Sequence, residues 1–156
     1  LPRKEFDMAT TLTASTLNVS IEETITLNGV NHGSFNNYSV PSINEVSRRI
    51  VSVPTAVKTI AEFDPSTVGP GKFDSDDVRY LRVTNLDNTH YITVGVKSGT
   101  DTAYFKVLAG GSFLINDINI DANTGGSAFS AFVRVTGVTA QANTAAVDVE
   151  LFVASV

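Results

Sequence analysis

The chain has 156 residues, a formal net charge of −5 and no cysteine, so disulfides and thiolate metal sites are excluded and a sizeable core must form without staples. The acidic balance argues against nucleic-acid binding, which needs a clustered cationic face, and no run approaches the roughly 20 apolar residues of a membrane helix. Only 17% of residues are charged, against about 25% in typical soluble domains, and a surface rich in Thr, Ser, Asn and Ala suits a protein packed against others.

At the N-terminus no apolar signal-peptide core is visible, and Met8-Ala-Thr-Thr looks like a natural start. Residues 1–8 are therefore read as a tag remnant or flexible N-terminal extension, and residues 9–156 as one β-sandwich domain. From Thr10 to Leu27, Leu17, Val19, Ile21, Ile25 and Leu27 alternate with polar residues, and Glu23 is the one break in that apolar face. Period-two alternation predicts a long extended stretch. Asn28-Gly29 is a strong turn signal. The Gly/Asn-rich segment Asn31 to Tyr38 reads as a loop or irregular edge. A single helical turn is expected at Ser42 to Val46, with Ser42 capping and Glu45 at the third position. Strand follows through Ile50, Val51 and Val53. Pro54 marks a bend or edge, and Val57, Ala61 and Phe63 share a face of the next strand.

Asp64 to Asp77, with its prolines, glycines and aspartates, reads as an exposed loop. Leu81, Val83 and Asn85 line the face of a strand that turns at Asp87-Asn88. Ile92, Val94 and Val96 form another, turning at Ser98 to Asp101. Ala103, Phe105 and Val107 lead to Ala109-Gly110-Gly111, followed by Phe113 and Ile115. Asp121 to Ser127 is expected to be a loop. Phe129, Ala131, Val133 and Val135 make the penultimate strand, and Gly137 to Asn143 leads into the last. There Val147, Val149, Leu151 and Val153 form a buried face, with Asp148 and Glu150 between them. Short strands with turns every 8–12 residues indicate an all-β, antiparallel β-sandwich, jelly-roll-like, with an extended N-terminal segment. That segment is expected to pair at a sheet edge or reach onto a neighbour. Its partner-binding candidates are Leu12, Leu17, Val19 and Ile21.

Chemistry is sparse. His32 and His90 lie in loops without a nucleophile motif beside them. Asp117-Ile-Asn-Ile-Asp-Ala-Asn123 spaces oxygen ligands like the start of a calcium loop. However, Ala122 and Ala128 replace the required Gly and Glu, and Ile118 and Ile120 explain the spacing as a strand. Asp74, Asp76 and Asp77 read as solvated acids. The sequons at Asn18 and Asn37 read as chance. One of Arg48 and Arg49 must face water or a partner. Asn85, Tyr91 and Tyr104 are the residues a sugar-binding face would use. No catalytic residue, cofactor or metal is expected.

The stretches Leu27-Asn-Gly29, Ile43-Asn-Glu-Val46, Arg49-Ile-Val-Ser-Val-Pro-Thr55, Tyr80-Leu-Arg-Val-Thr-Asn-Leu-Asp87 and Asn143-Thr-Ala-Ala-Val-Asp-Val-Glu-Leu-Phe-Val153 resemble small virion structural proteins of tailed bacteriophages, particularly marine and cyanobacterial ones. The likeness runs from Met8 onward and lies in sequence texture, not in chemistry. It implies a non-enzymatic particle component located in the virion and assembled in the host cytoplasm. A capsid decoration (cement) protein is the leading form, and a tail or fibre component with a receptor- or glycan-binding role is the alternative. Its implied partners are other virion proteins and copies of itself, in trimers or other symmetric assemblies, with neither nucleic acid nor membrane.

Overall fold

The computed structural model describes residues 12–63, 72–123 and 132–156. The chain divides into two compact units, Leu1–Asn44 and Glu45–Val156. Residues 1–8, expected to be an extension, lie outside the described residues, as do Phe129 and Ala131. No helix occurs among the described residues, and none is long and apolar enough to cross a membrane.

The first unit is a two-stranded ribbon. One arm carries β1 (Ser15–Glu23) and then β2 (Thr26–Leu27), and the returning arm carries β3 (Val30–Asn31) and then β4 (Ser34–Ile43). β1 pairs antiparallel with β4, and β2 with β3. The N-terminal extended stretch is therefore paired rather than free. Its tip is the expected turn: Asn28 and Gly29 have φ of 50° and 79°, both positive as a two-residue type I′ loop requires. Asn31 to Tyr38, expected to be a loop or irregular edge, is mostly strand. β1 supplies the ladder that local composition does not advertise. Ser20 Oγ donates to Asn37 Oδ1 at 2.8 Å, and Ser39 Oγ donates to Asn18 Oδ1 at 2.7 Å. The helical turn at Ser42 to Val46 is absent. Ser42 instead has a φ of 62°, a left-handed conformation that no right-handed helix accepts.

The second unit is a β-sandwich built from β5 (Glu45–Val53), β6 (Lys58–Glu62), β7 (Val78–Asn85), β8 (Ile92–Ser98), β9 (Asp101–Val107), β10 (Ser112–Asn116), β11 (Asp121–Ala122), β12 (Val133–Ala142) and β13 (Val147–Ser155). One sheet has the order β10-β7-β13-β5. In the other, β9-β8-β12 is extended by β6 and by β11, which both pair with β12. All of these ladders are antiparallel. With the two-residue β11 set aside, the chain passes between the sheets in the winding order of a jelly roll. β13, the strand read first and best from sequence, is central. It pairs with β5 on one side and β7 on the other, and Val147, Val149, Leu151 and Val153 enter the core.

Two bulges explain where simple alternation misreads the second sheet. Between β12 and β8, Val135 opposes Ser98 while Gly137 opposes Lys97, so Thr136 is an extra residue. The inward parity then changes from Val135 to Val138, Ala140 and Ala142, because one inserted residue turns every later side chain over. Gly137 to Ala142, expected to lead into the last strand, thus continues the penultimate strand β12. On β6, Ala61 opposes Val138 but Thr59 opposes Thr139. Ile60 and Ala61 are both buried there, while Val57 is exposed, correcting the expected shared face. Of the acidic segment expected to be an exposed loop, residues 64–71 lie outside the described residues, and within residues 72–77 Phe73 and Ser75 are buried. Phe73 is buried against Phe63, edge to face at 6.3 Å between ring centroids.

Candidate interaction surface

The residues singled out for chemistry fall to structural roles. His32 donates its backbone N–H to Ile25 O in the ribbon. His90, in the sandwich, places Nδ1 3.0 Å from Asp87 Oδ2. Asp87 also accepts backbone N–H groups from His90 and Thr89, and these two bonds, more than the imidazole, hold its carboxyl below the usual value. This is a corner clasp, anchored by fully buried Asn85. Asn85 Nδ2 donates to His90 O and Val107 O, and its Oδ1 accepts from Asp87 N.

The aspartates are engaged as well. Asp121 and Asp76 both take Arg134, at 2.7 and 2.8 Å, and Asp74 closes a turn on the N–H of Asp76. No group of three or more metal-ligating side chains occurs among the described residues. Burial withdraws Asn85 from any sugar-binding face. Tyr91 lies beneath Lys106 Nζ, 4.2 Å from its ring centroid, and exposed Tyr104 stands opposite Gly95 across β8 and β9.

What the molecule presents is surface. On β1, Leu17, Val19 and Ile21 share a face with Val40, Tyr38 and Asn36, their cross-strand partners. Leu17 and Val19 are half-buried and Ile21 is exposed. Leu12, ahead of β1, is 72% exposed. Further along the ribbon Ile25, Leu27, Val30 and Phe35 are exposed, Phe35 at 61%. At Gly33 a Cβ would run into the Glu23 carbonyl. Glu22 and Glu23 are the only Asp, Glu, Lys or Arg residues across residues 12–44.

In the sandwich, β5 ends its sheet, with β13 on one side and no strand on the other among the described residues. Arg48 and Arg49 point in opposite directions from it. The Arg48 side chain is 69% exposed and reaches Glu150 at 3.2 Å. Glu150 also meets Arg82 at 2.5 Å. Its carboxyl is held below the ordinary range by the Arg82 hydrogen bond first and Arg48 second. Arg49 turns between the sheets, donates to Ile60 O, and lines a cavity of about 160 Å³ with Glu45, Ser47, Ala61, Phe73, Leu151 and Val153. Sequence reasoning missed this relay, because nothing local shows that Arg82 and Arg48 flank position 150.

No protein-family model matches the chain, and no curated protein matches it. Among solved structures it is similar to one from Bacillus described by the words "Bacillus endospore appendages form a novel family of disulfide-linked pili", at 13% identity and a TM-score of 0.45, over 92% of this chain and 88% of that one. A likeness that distant assigns neither family nor function.

Proposed function

We propose that this chain is a non-enzymatic virion structural protein, a capsid decoration subunit that binds neighbouring particle proteins through its ribbon and the open strand edges of its sandwich. The observation that carries this reading is the ribbon itself. A two-stranded hairpin is marginal in water, yet this one displays Ile21, Ile25, Leu27, Val30 and Phe35 to solvent. Contact with another subunit would remove that apolar surface from water at about 25 cal/mol per Å² and cover the exposed backbone edges. Leu12, Leu17, Val19 and Ile21 are the contact residues on this reading, and the partners are other virion proteins and further copies of the chain. The sequence likeness to phage virion proteins supports the particle, assembled in the host cytoplasm.

Mass spectrometry of purified particles tests the proposal. The chain is expected among the virion proteins in many copies, as a decoration subunit requires. Its absence from particles ends the reading, and a handful of copies moves it to the tail.

A further inference from the structure

We infer that β1 of one copy adds, antiparallel, to the open edge of β5 in a second copy, with Leu17 opposite Val53, Val19 opposite Val51, Ser20 opposite Ile50 and Glu22 opposite Arg48. The inference deepens the assembly reading above and rests on it. Both strands are nine residues long, and each has one edge paired and one edge without a strand among the described residues. Strand addition satisfies such edges with main-chain hydrogen bonds, and side-chain alternation then fixes the register.

The two alternations agree. β5 turns Val51 and Val53 inward, opposite Val149 and Val147, and turns Arg48, Ile50 and Ser52 outward. β1 carries Leu17, Val19 and Ile21 on one face and Asn18, Ser20 and Glu22 on the other. Pairing apolar with inward allows only registers that differ by two residues, since a slip of one reverses both faces. Charge chooses among them. A shift of two in one direction sets Glu23 directly against Glu45, a destabilising like-charge pair. The opposite shift leaves only residues 19–23 of β1 in register with β5. The intermediate register keeps residues 17–23 against 47–53 and sets Glu22 against Arg48.

A parallel arrangement that keeps the valines matched carries the glutamates past the end of β5. Arg48 uses Nε and Nη2 for Glu150, which leaves Nη1 to take a second carboxylate in the manner of a guanidinium fork. Ile50, 65% exposed in the isolated chain, would be covered. The contact joins two different surfaces, so it repeats from copy to copy and either closes a ring or runs on as a filament.

The absence of cysteine gives a direct test on the full chain. Residues directly opposite in an antiparallel ladder lie about 4.5–5.5 Å apart at Cα, within the span a disulfide bridges. Ser20→Cys and Ile50→Cys variants, mixed and mildly oxidised, are expected to give the 20–50 disulfide as the main product by peptide mass spectrometry. Ser20→Cys mixed with Ser52→Cys, two residues off register, should link at least several-fold less. Glu22→Arg and Arg48→Glu should each weaken self-association in sedimentation at least several-fold, and mixing the two variants should restore it. Association of the wild-type chain without a 20–50 link between the Ser20→Cys and Ile50→Cys variants overturns this contact alone. A chain that stays monomeric at all concentrations and is absent from particles overturns the assembly reading as well.

Discussion

Removing residues 1–44 should leave a protein that folds. Among the described residues, the buried apolar side chains other than Ile43 lie in the sandwich, and the unit Glu45–Val156 contains both partners of each of its sheet pairings. The truncated chain has 112 residues (156 − 44). At roughly 0.7 kcal/mol per residue near 60 °C its unfolding enthalpy should be about 80 kcal/mol, whereas a chain melting as one 156-residue unit would give about 110. With an unfolding entropy of about 2.1 cal/mol/K per residue, each kcal/mol of stability moves Tm by about 4 °C at this size. Differential scanning calorimetry of both chains is the assay. Both should show a main transition of about 80 kcal/mol, with Tm values within about 8 °C, because an exposed two-stranded ribbon contributes little cooperative stability. Sedimentation should show self-association only in the full chain. Loss of the cooperative transition on truncation, or a fall in Tm well beyond that margin, would show that the ribbon belongs to the sandwich core and refute the reasoning.

Other consequences are more local. Asn85→Ala removes three hydrogen bonds at a buried corner and should cost about 3 kcal/mol in urea unfolding, at about 1 kcal/mol each. Gly95→Ala would press a Cβ onto Thr139 Oγ1 and within 3.0 Å of Thr102 Cγ2, an overpacking cost of about 1–3 kcal/mol. In a Thr139→Ala background that cost should shrink, a coupling a double-mutant cycle measures. Glu150→Gln at neutral pH should destabilise by about 0.5–1 kcal/mol, the scale of ion pairs in contact with solvent. The folded-state pKa of Glu150 is lowered from 4.5, so its contribution is complete above that value and fades as pH falls through the lower folded value. Wild type should therefore lose more stability than Glu150→Gln between about pH 5 and the acid limit, and parallel pH profiles would refute the role given to the arginines.

Stretches of constant inward parity were legible directly: Leu81, Val83 and Asn85 in β7, Ile92, Val94 and Val96 in β8, and Val147 to Val153 in β13. β12 was half legible, because the bulge at Thr136 exchanges its inward and outward positions and no residue type announces that exchange. The ribbon hid for a different reason. Asn18-Val-Ser20 and Asn37-Tyr-Ser39 are the same pattern written twice, and antiparallel pairing brings each Asn to the other's Ser. Read one at a time they suggest glycosylation sequons, and read against each other they specify a register. The surface relay at Glu150 depends on neighbours 68 and 102 positions away, separations that local pattern cannot reach.

The central place of β13 also sets a clock for biosynthesis. Its partners in β5 precede it by between 94 residues, from Val53 to Val147, and 110 residues, from Glu45 to Ser155. At about 5–20 residues per second, a nascent β5 waits on the order of 5–20 s for the strand that separates it from β7. Through that interval β5 and β7 are each exposed along the edge that β13 will occupy, on every ribosome translating the message. A polysome crowds such half-finished sheets together, so chaperone shielding of β5 or β7 during synthesis would have its largest effect on yield before residue 147 emerges.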